Sequence, residues 1–61
     1  MADYRLYFHD ALGHIVRMVE MRCANDAEAI AKAEELAKGQ YVELWRLDRR
    51  VFIKAAGRKD G

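Results

Sequence analysis

The sequence predicts an α+β fold, in which one helix packs on a small antiparallel sheet of about four strands in the order ββαββ. Two observations support this prediction. The middle of the chain carries an amphipathic segment with its own start and stop signals. Alternating apolar and polar residues, which are typical of half-buried strands, lie on both sides of it. Because a chain of 61 residues has room for only one small core, we treat residues 1–61 as a single domain.

The first two strands are predicted over residues 3–9 and 14–23, around a turn at Asp10-Ala11-Leu12-Gly13. Aspartate at the first position and glycine at the fourth are typical of a type I turn. Two registers remain open, because a three-residue loop places Phe8 beside Val16, whereas a four-residue loop places it beside Ile15. A slip of one residue exchanges the two faces. The more apolar set is expected to face the helix: Tyr4, Leu6 and Phe8.

The helix is predicted over residues 26–38. Asn25 is a suitable N-cap, and Glu28 three residues later completes a variant of the capping box. Lys38 followed by Gly39 forms the stop signal, because glycine accepts the left-handed conformation that ends helices. At about 100° per residue, one apolar face emerges: Ala29, Ile30, Ala33, Leu36 and Ala37. Its three alanines predict a helix that lies close to the sheet.

The last two strands are predicted over residues 41–47 and 50–55, with Asp48 and Arg49 at the hairpin tip and a frayed tail over 57–61. The cross-strand pairs of this register are chemically sensible and include Trp45 with Phe52, Leu44 with Ile53, and Glu43 with Lys54. A four-residue loop from Leu47 to Arg50 keeps the same faces. The aliphatic face is the expected seat of the helix: Val42, Leu44, Val51, Ile53 and Ala55.

The opposite face of this hairpin predicts a partner-binding surface. Its candidate residues are Tyr41, Trp45, Leu47 and Phe52. A bare tryptophan and phenylalanine pair is unusual on a small monomer, and aromatic side chains are enriched in protein interfaces. We therefore expect a homodimer that associates through this face. The alternative is that the N-terminal hairpin or the tail covers these rings.

The C-terminal third also suggests a second class of function, single-stranded nucleic-acid binding. Six basic residues and one acidic residue lie between Arg46 and Lys59, although the formal net charge of the whole chain is only +1. Aromatic rings flanked by arginine and lysine can stack nucleic-acid bases. The candidate contacts are Arg46, Arg49, Arg50 and Lys54. The small net charge argues for the dimer as the first interpretation.

No residue pattern predicts catalysis, a cofactor or a bound metal. His9 and His14 flank the first turn near Asp10, but the spacing places no third strong ligand with them. Cys23 cannot form an internal disulfide because it is the only cysteine, and no orienting group makes it a nucleophile. We therefore expect a protein that is not an enzyme.

The composition, 52% hydrophobic and 34% charged, is that of a globular domain. No apolar run reaches the length that spans a bilayer, and the first residues do not form a signal peptide. We expect a cytoplasmic protein with no membrane contact.

Several segments together resemble a family of small uncharacterised bacterial proteins of similar length. They are Tyr4-Arg5-Leu6-Tyr7-Phe8, Gly13-His14-Ile15-Val16-Arg17, Asp26-Ala27-Glu28-Ala29-Ile30, and Glu43-Leu44-Trp45 with Val51. The resemblance covers nearly the whole chain and implies a domain of unknown function with no activity or cofactor to transfer. The order of elements also distantly resembles the HicB-type antitoxin domains, which carry a third strand before the helix, and this likeness concerns the fold alone.

Overall fold

The computed structural model describes residues 1–54 and confirms the α+β class. The elements are β1 (Ala2–His9), β2 (Ile15–Cys23), α1 (Asp26–Ala37), β3 (Tyr41–Arg46) and β4 (Arg49–Lys54). The strands form one antiparallel sheet in the order β2-β1-β3-β4. The two hairpins therefore join through β1 and β3, and β2 and β4 are the edges. The predicted strand position of Ala55 and the predicted frayed tail lie outside the described residues.

Helix α1 begins at the predicted cap. The Asn25 side chain accepts a hydrogen bond from the backbone N–H of Glu28 at 2.8 Å. The Glu28 carboxylate accepts in return from the backbone N–H of Ala24 at 3.0 Å, one residue before the cap. The helix ends at Ala37, one residue earlier than predicted, because Lys38 itself adopts the left-handed conformation with φ of 49°.

The predicted alanine stripe of α1 forms the contact with the sheet, and all three alanines are buried: Ala29, Ala33 and Ala37. Ile30 packs against this core from one side of the stripe. The expectation that Leu36 is also buried was wrong, since 41% of it is exposed. At about 100° per residue, Leu36 and Ile30 lie on opposite sides of Ala33, and the sheet covers only the Ile30 side.

The sheet contributes the rest of the core. Its buried apolar residues are Tyr4, Leu6, Phe8, Met21, Cys23, Val42 and Leu44. The predicted orientation of Tyr4, Leu6 and Phe8 is therefore confirmed.

The first hairpin keeps the predicted turn but neither predicted register. The Gly13 N–H donates to the Asp10 carbonyl at 3.0 Å, as a type I turn requires. Phe8 pairs with Arg17, and His9 pairs with Ile15, so the register shifts by one residue at the end of β1. The loop spans residues 10–14 and is longer than predicted. Within it, the Asp10 carboxylate accepts from the backbone N–H of both Leu12 and His14 at 2.9 Å.

The second hairpin differs from its predicted register by two residues near the tip and by one residue beyond a β-bulge. Arg46 pairs with Arg49, so the tip is Leu47-Asp48, with Leu47 in the left-handed region at φ of 57°. Trp45 pairs with Arg50 in the same register, and a β-bulge between Leu44 and Trp45 then pairs Leu44 with Phe52. The predicted pairs of Trp45 with Phe52, Leu44 with Ile53, and Glu43 with Lys54 are all wrong.

This register brings Phe52 to the helix side of the sheet. Phe52 pairs with Leu44 and packs against the core together with Val51. Ile53 takes the opposite face, where it pairs with Glu43 and remains 44% exposed. Phe52 is the larger of the two side chains, so placing it against the core removes more apolar area from water.

Candidate interaction surface on the open sheet face

The helix covers one face of the sheet, and alternate side chains of every strand point to the other, which we call the open face. Strand pairing aligns these side chains in two rows that cross all four strands. The Met18 row runs Met18, Tyr7, Glu43, Ile53. The Glu20 row runs Glu20, Arg5, Trp45, Arg50. The open face therefore combines apolar and charged groups in a regular arrangement.

Glu43 is the polar centre of the open face. Its two carboxylate oxygens accept separate hydrogen bonds, from the Tyr41 hydroxyl at 2.9 Å and from the Trp45 indole N–H at 3.2 Å. Arg50 Nη1 lies 3.8 Å from the same carboxylate. Partial burial raises the pKa of Glu43, but the hydrogen bonds from Trp45 and Tyr41 and the nearby cationic groups, Arg50 among them, together outweigh it, so this pKa lies below its ordinary value. The carboxylate is ionised at neutral pH and holds both rings in fixed orientations.

Apolar side chains are exposed towards both edges of the open face. Ile15 and Met18 on β2 are 57% and 43% exposed, and Ile53 on β4 is 44% exposed. Tyr7 and Trp45, on the two inner strands, are half-buried. Apolar side chains are therefore present on all four strands of the open face, on either side of Glu43.

His9 lies at one end of the open face beside Tyr41. The two rings stack with their centroids 4.4 Å apart, and His9 is 6% exposed. Its Nδ1 atom has no hydrogen-bond partner within residues 1–54. His14 is exposed in the loop, where its Nδ1 lies 3.7 Å from Asp10 Oδ2. Within the described residues, no group of three or more His, Cys, Asp or Glu side chains is arranged to hold a metal ion.

The four predicted partner-binding residues do not share one face. Tyr41 and Trp45 lie on the open face, as expected. Leu47 is at the hairpin tip and is 87% exposed. Phe52 was placed on the wrong face, because the bulge between Leu44 and Trp45 shifts the pairing by one residue and brings Phe52 opposite Leu44 on the helix side.

The predicted nucleic-acid contacts are also dispersed. Arg50 belongs to the open face, whereas Arg49 approaches the helix, with Nη2 3.4 Å from Asp26 Oδ2. Arg46 lies over the Tyr4 ring, with its guanidinium carbon 5.9 Å from the centroid. The last candidate, Lys54, pairs with core residue Val42 on β3. The other two basic residues of this segment, Arg58 and Lys59, lie outside the described residues.

Four open-face residues were missed as candidates: Tyr7, Ile15, Met18 and Ile53. Tyr7 could have been placed on the open face from the sequence, because it alternates with Tyr4, Leu6 and Phe8, which face the helix. Met18 and Ile53 could be assigned only from the correct register, because a slip of one residue moves each of them to the helix side.

Comparison with known proteins supplies no relative for this chain. No protein-family model matches it, and neither a curated protein nor a solved structure is significantly similar. Within the described residues, no helix is both long and apolar enough to cross a membrane.

Proposed function

We propose that this protein is a non-enzymatic interaction module that forms a homodimer through the open face of its sheet. The observation that carries the proposal is the set of apolar side chains on that face, in which Ile15, Met18 and Ile53 flank the half-buried rings of Tyr7 and Trp45. Helix α1 already covers the other face of the sheet.

The size of the chain favours a partner. A domain of about 60 residues buries only about 60% of the surface that its unfolded chain exposes. Its core alone rarely supplies more than about 3–5 kcal/mol of stability. Burying exposed Ile15, Met18 and Ile53 against a second copy adds roughly 25 cal/mol for each Å² of apolar surface removed from water.

The polar groups of the open face are compatible with burial in an interface. A buried carboxylate is costly unless its oxygens are hydrogen-bonded. Glu43 already has a donor on each oxygen, from Tyr41 and Trp45, and Arg50 is close enough to balance its charge.

Nucleic-acid binding has less support. Its four candidate cations are divided between the two sides of the sheet, and Arg49 and Arg50 each lie near a carboxylate of the same chain. A continuous basic track beside accessible rings, which single-strand binding uses, is not formed by residues 1–54.

The test compares two lysine substitutions at residues of similar exposure. Met18→Lys places a charge on the open face, whereas Leu36→Lys places one on the exposed helix surface, and the two residues are 43% and 41% exposed. Sedimentation equilibrium across a concentration series should show a dimer for the wild type and for Leu36→Lys, and a monomer for Met18→Lys. The absorbance ratio at 260 and 280 nm of the same samples reports any bound nucleic acid.

A monomeric wild type would refute the proposal. So would a Met18→Lys variant that dimerises as strongly as the wild type.

A further inference from the structure

We infer that the dimer is a two-fold sandwich in which β2 of each copy lies over β4 of the other and β1 lies over β3. This inference rests on the proposed self-association and specifies its geometry. It follows from the order of side chains along the Met18 row and the Glu20 row.

Consider a two-fold axis parallel to the strands that runs between β1 and β3, just above the open face. Rotation about this axis exchanges the two edges of the sheet and leaves the height along the strands unchanged. Each row therefore faces the same row of the second copy in the opposite order. Both helices remain on the outside. Such isologous contacts are the commonest form of protein dimer.

The Met18 row is self-complementary under this rotation. Met18 meets the partner's Ile53, and these are the exposed aliphatic side chains at the two ends of the row. Tyr7 meets the partner's Glu43, whose carboxylate is already hydrogen-bonded. No charge in this row is placed against another charge.

The Glu20 row is complementary in charge. Glu20, at one end of the row, faces the partner's Arg50, which is at the other end. The two charges are opposite in sign, and the two-fold axis makes this pair occur twice in the dimer. Arg5 meets the partner's Trp45, where a guanidinium over the indole ring adds a cation–π contact. Within one chain both charged groups are only loosely paired, since Glu20 lies 3.8 Å from Arg5 and Arg50 lies 3.8 Å from Glu43.

Sheet twist preserves these contacts. Aligned sheets pack about 10 Å apart and cross at about 30°. The edge strands lie roughly 7 Å from the axis, given a spacing of about 4.8 Å between strands, so the crossing displaces them by about 4 Å. That displacement is within the reach of the long side chains at both row ends.

The experiment uses charge reversal with rescue by mixing. Glu20→Arg alone places two positive charges together at both ends of the dimer, and Arg50→Glu alone places two negative charges together. Each variant by itself should dimerise at least about tenfold more weakly than the wild type. In an equimolar mixture, every position 20 faces a position 50 of opposite charge, so a heterodimer should form with an affinity near that of the wild type.

Native mass spectrometry identifies the heterodimer, because the two variants differ in mass, and sedimentation equilibrium measures its affinity. Mixing alters no contact within a chain, so recovery cannot arise from a repaired fold. Glu35→Arg makes the same charge change on the exposed helix surface and should leave dimerisation unchanged.

The outcomes separate this geometry from the proposed function. A monomeric wild type would refute both. A wild-type dimer that Met18→Lys dissociates, combined with no heterodimer on mixing, would retain the open-face dimer and overturn the arrangement inferred here. Variants that remain dimeric on their own would overturn it as well.

Discussion

The Tyr4 hydroxyl donates a hydrogen bond to Asp26 Oδ1 at 2.6 Å and so joins the first strand to the first turn of the helix. The Tyr4 ring is part of the core, and Asp26 also approaches Arg49 of β4. One carboxylate thereby connects the start of the helix to both hairpins. The hydrogen bond raises the pKa of Tyr4 and lowers that of Asp26, with burial adding to the first shift and opposing the second.

Tyr4→Phe should lower the thermal stability without altering the fold. The substitution retains the buried ring and removes only the hydrogen bond to a charged acceptor. A decrease in Tm of about 5 °C is expected, given the usual contribution of such bonds and the size of the domain. Thermal denaturation followed by circular dichroism measures it. Tyr7→Phe removes a hydroxyl from the open face and, at a protein concentration low enough to keep both variants monomeric, should leave the Tm within about 1–2 °C of wild type, so equal losses for both variants would contradict the role of Asp26.

The stability should also depend on pH through Asp26. Because the pKa of Asp26 is lower in the folded state than its ordinary value of 3.8, its contribution is present above about pH 4 and is lost as the pH falls through the folded-state pKa. Asp26→Asn should therefore show a smaller loss of Tm between about pH 4 and 2 than the wild type does. Glu43, whose pKa is also lowered, leaves a residual slope in that variant. Parallel curves for the two proteins would rule out the linkage.

Because the helix packs closely on the sheet, the free energy of unfolding should depend strongly on the size of the side chain at Ala33. This residue is fully buried, whereas Ala31, two positions earlier, is exposed. Ala33→Leu should cost about 1–3 kcal/mol of unfolding free energy because the added atoms force the helix away from the sheet. Ala31→Leu adds the same atoms in solvent and should be nearly neutral. Urea denaturation at low protein concentration compares the two, and a tolerated leucine at position 33 would mean that the helix does not lie this close.

The corrected register of the second hairpin predicts different effects for two adjacent residues. Phe52→Ala removes a ring that packs against the core and should lower the unfolding free energy by about 2 kcal/mol. Ile53→Ala should change the stability of the monomer little but weaken dimerisation, since Ile53 lies on the open face. Denaturation and sedimentation on each variant separate the two effects. The opposite assignment of effects would restore the originally predicted faces.

The left-handed conformation of Leu47 predicts a stabilising substitution. Leucine is unfavourable at φ of 57°, and this side chain is almost fully exposed. Leu47→Asn should raise the unfolding free energy by about 0.5–1 kcal/mol, because asparagine tolerates this conformation. Leu47→Ala retains the unfavourable backbone conformation and serves as the control, with no gain expected. If alanine stabilises as much as asparagine, the exposed side chain and not the backbone is responsible.

Local patterns determined the elements of this fold. The Asn25 cap and the Lys38-Gly39 stop signal each act within one turn of the helix. The bounds of α1 were therefore predictable to one residue. The turn from Asp10 to Gly13 is equally local. The buried set of β1 followed from its alternation, because Tyr4, Leu6 and Phe8 are more apolar than the residues that alternate with them.

Tertiary structure decided the registers and the composition of the open face. In both hairpins a shift of one residue moves an entire apolar set across the sheet, and period-two alternation is equally well satisfied before and after it. The competition between Phe52 and Ile53 for the space beside Leu44 was settled by burial of the larger ring against the core. The rows that end in Met18 and Ile53, and in Glu20 and Arg50, exist only once β1 has paired with β3 across 31 or more intervening residues, a contact that no local pattern encodes.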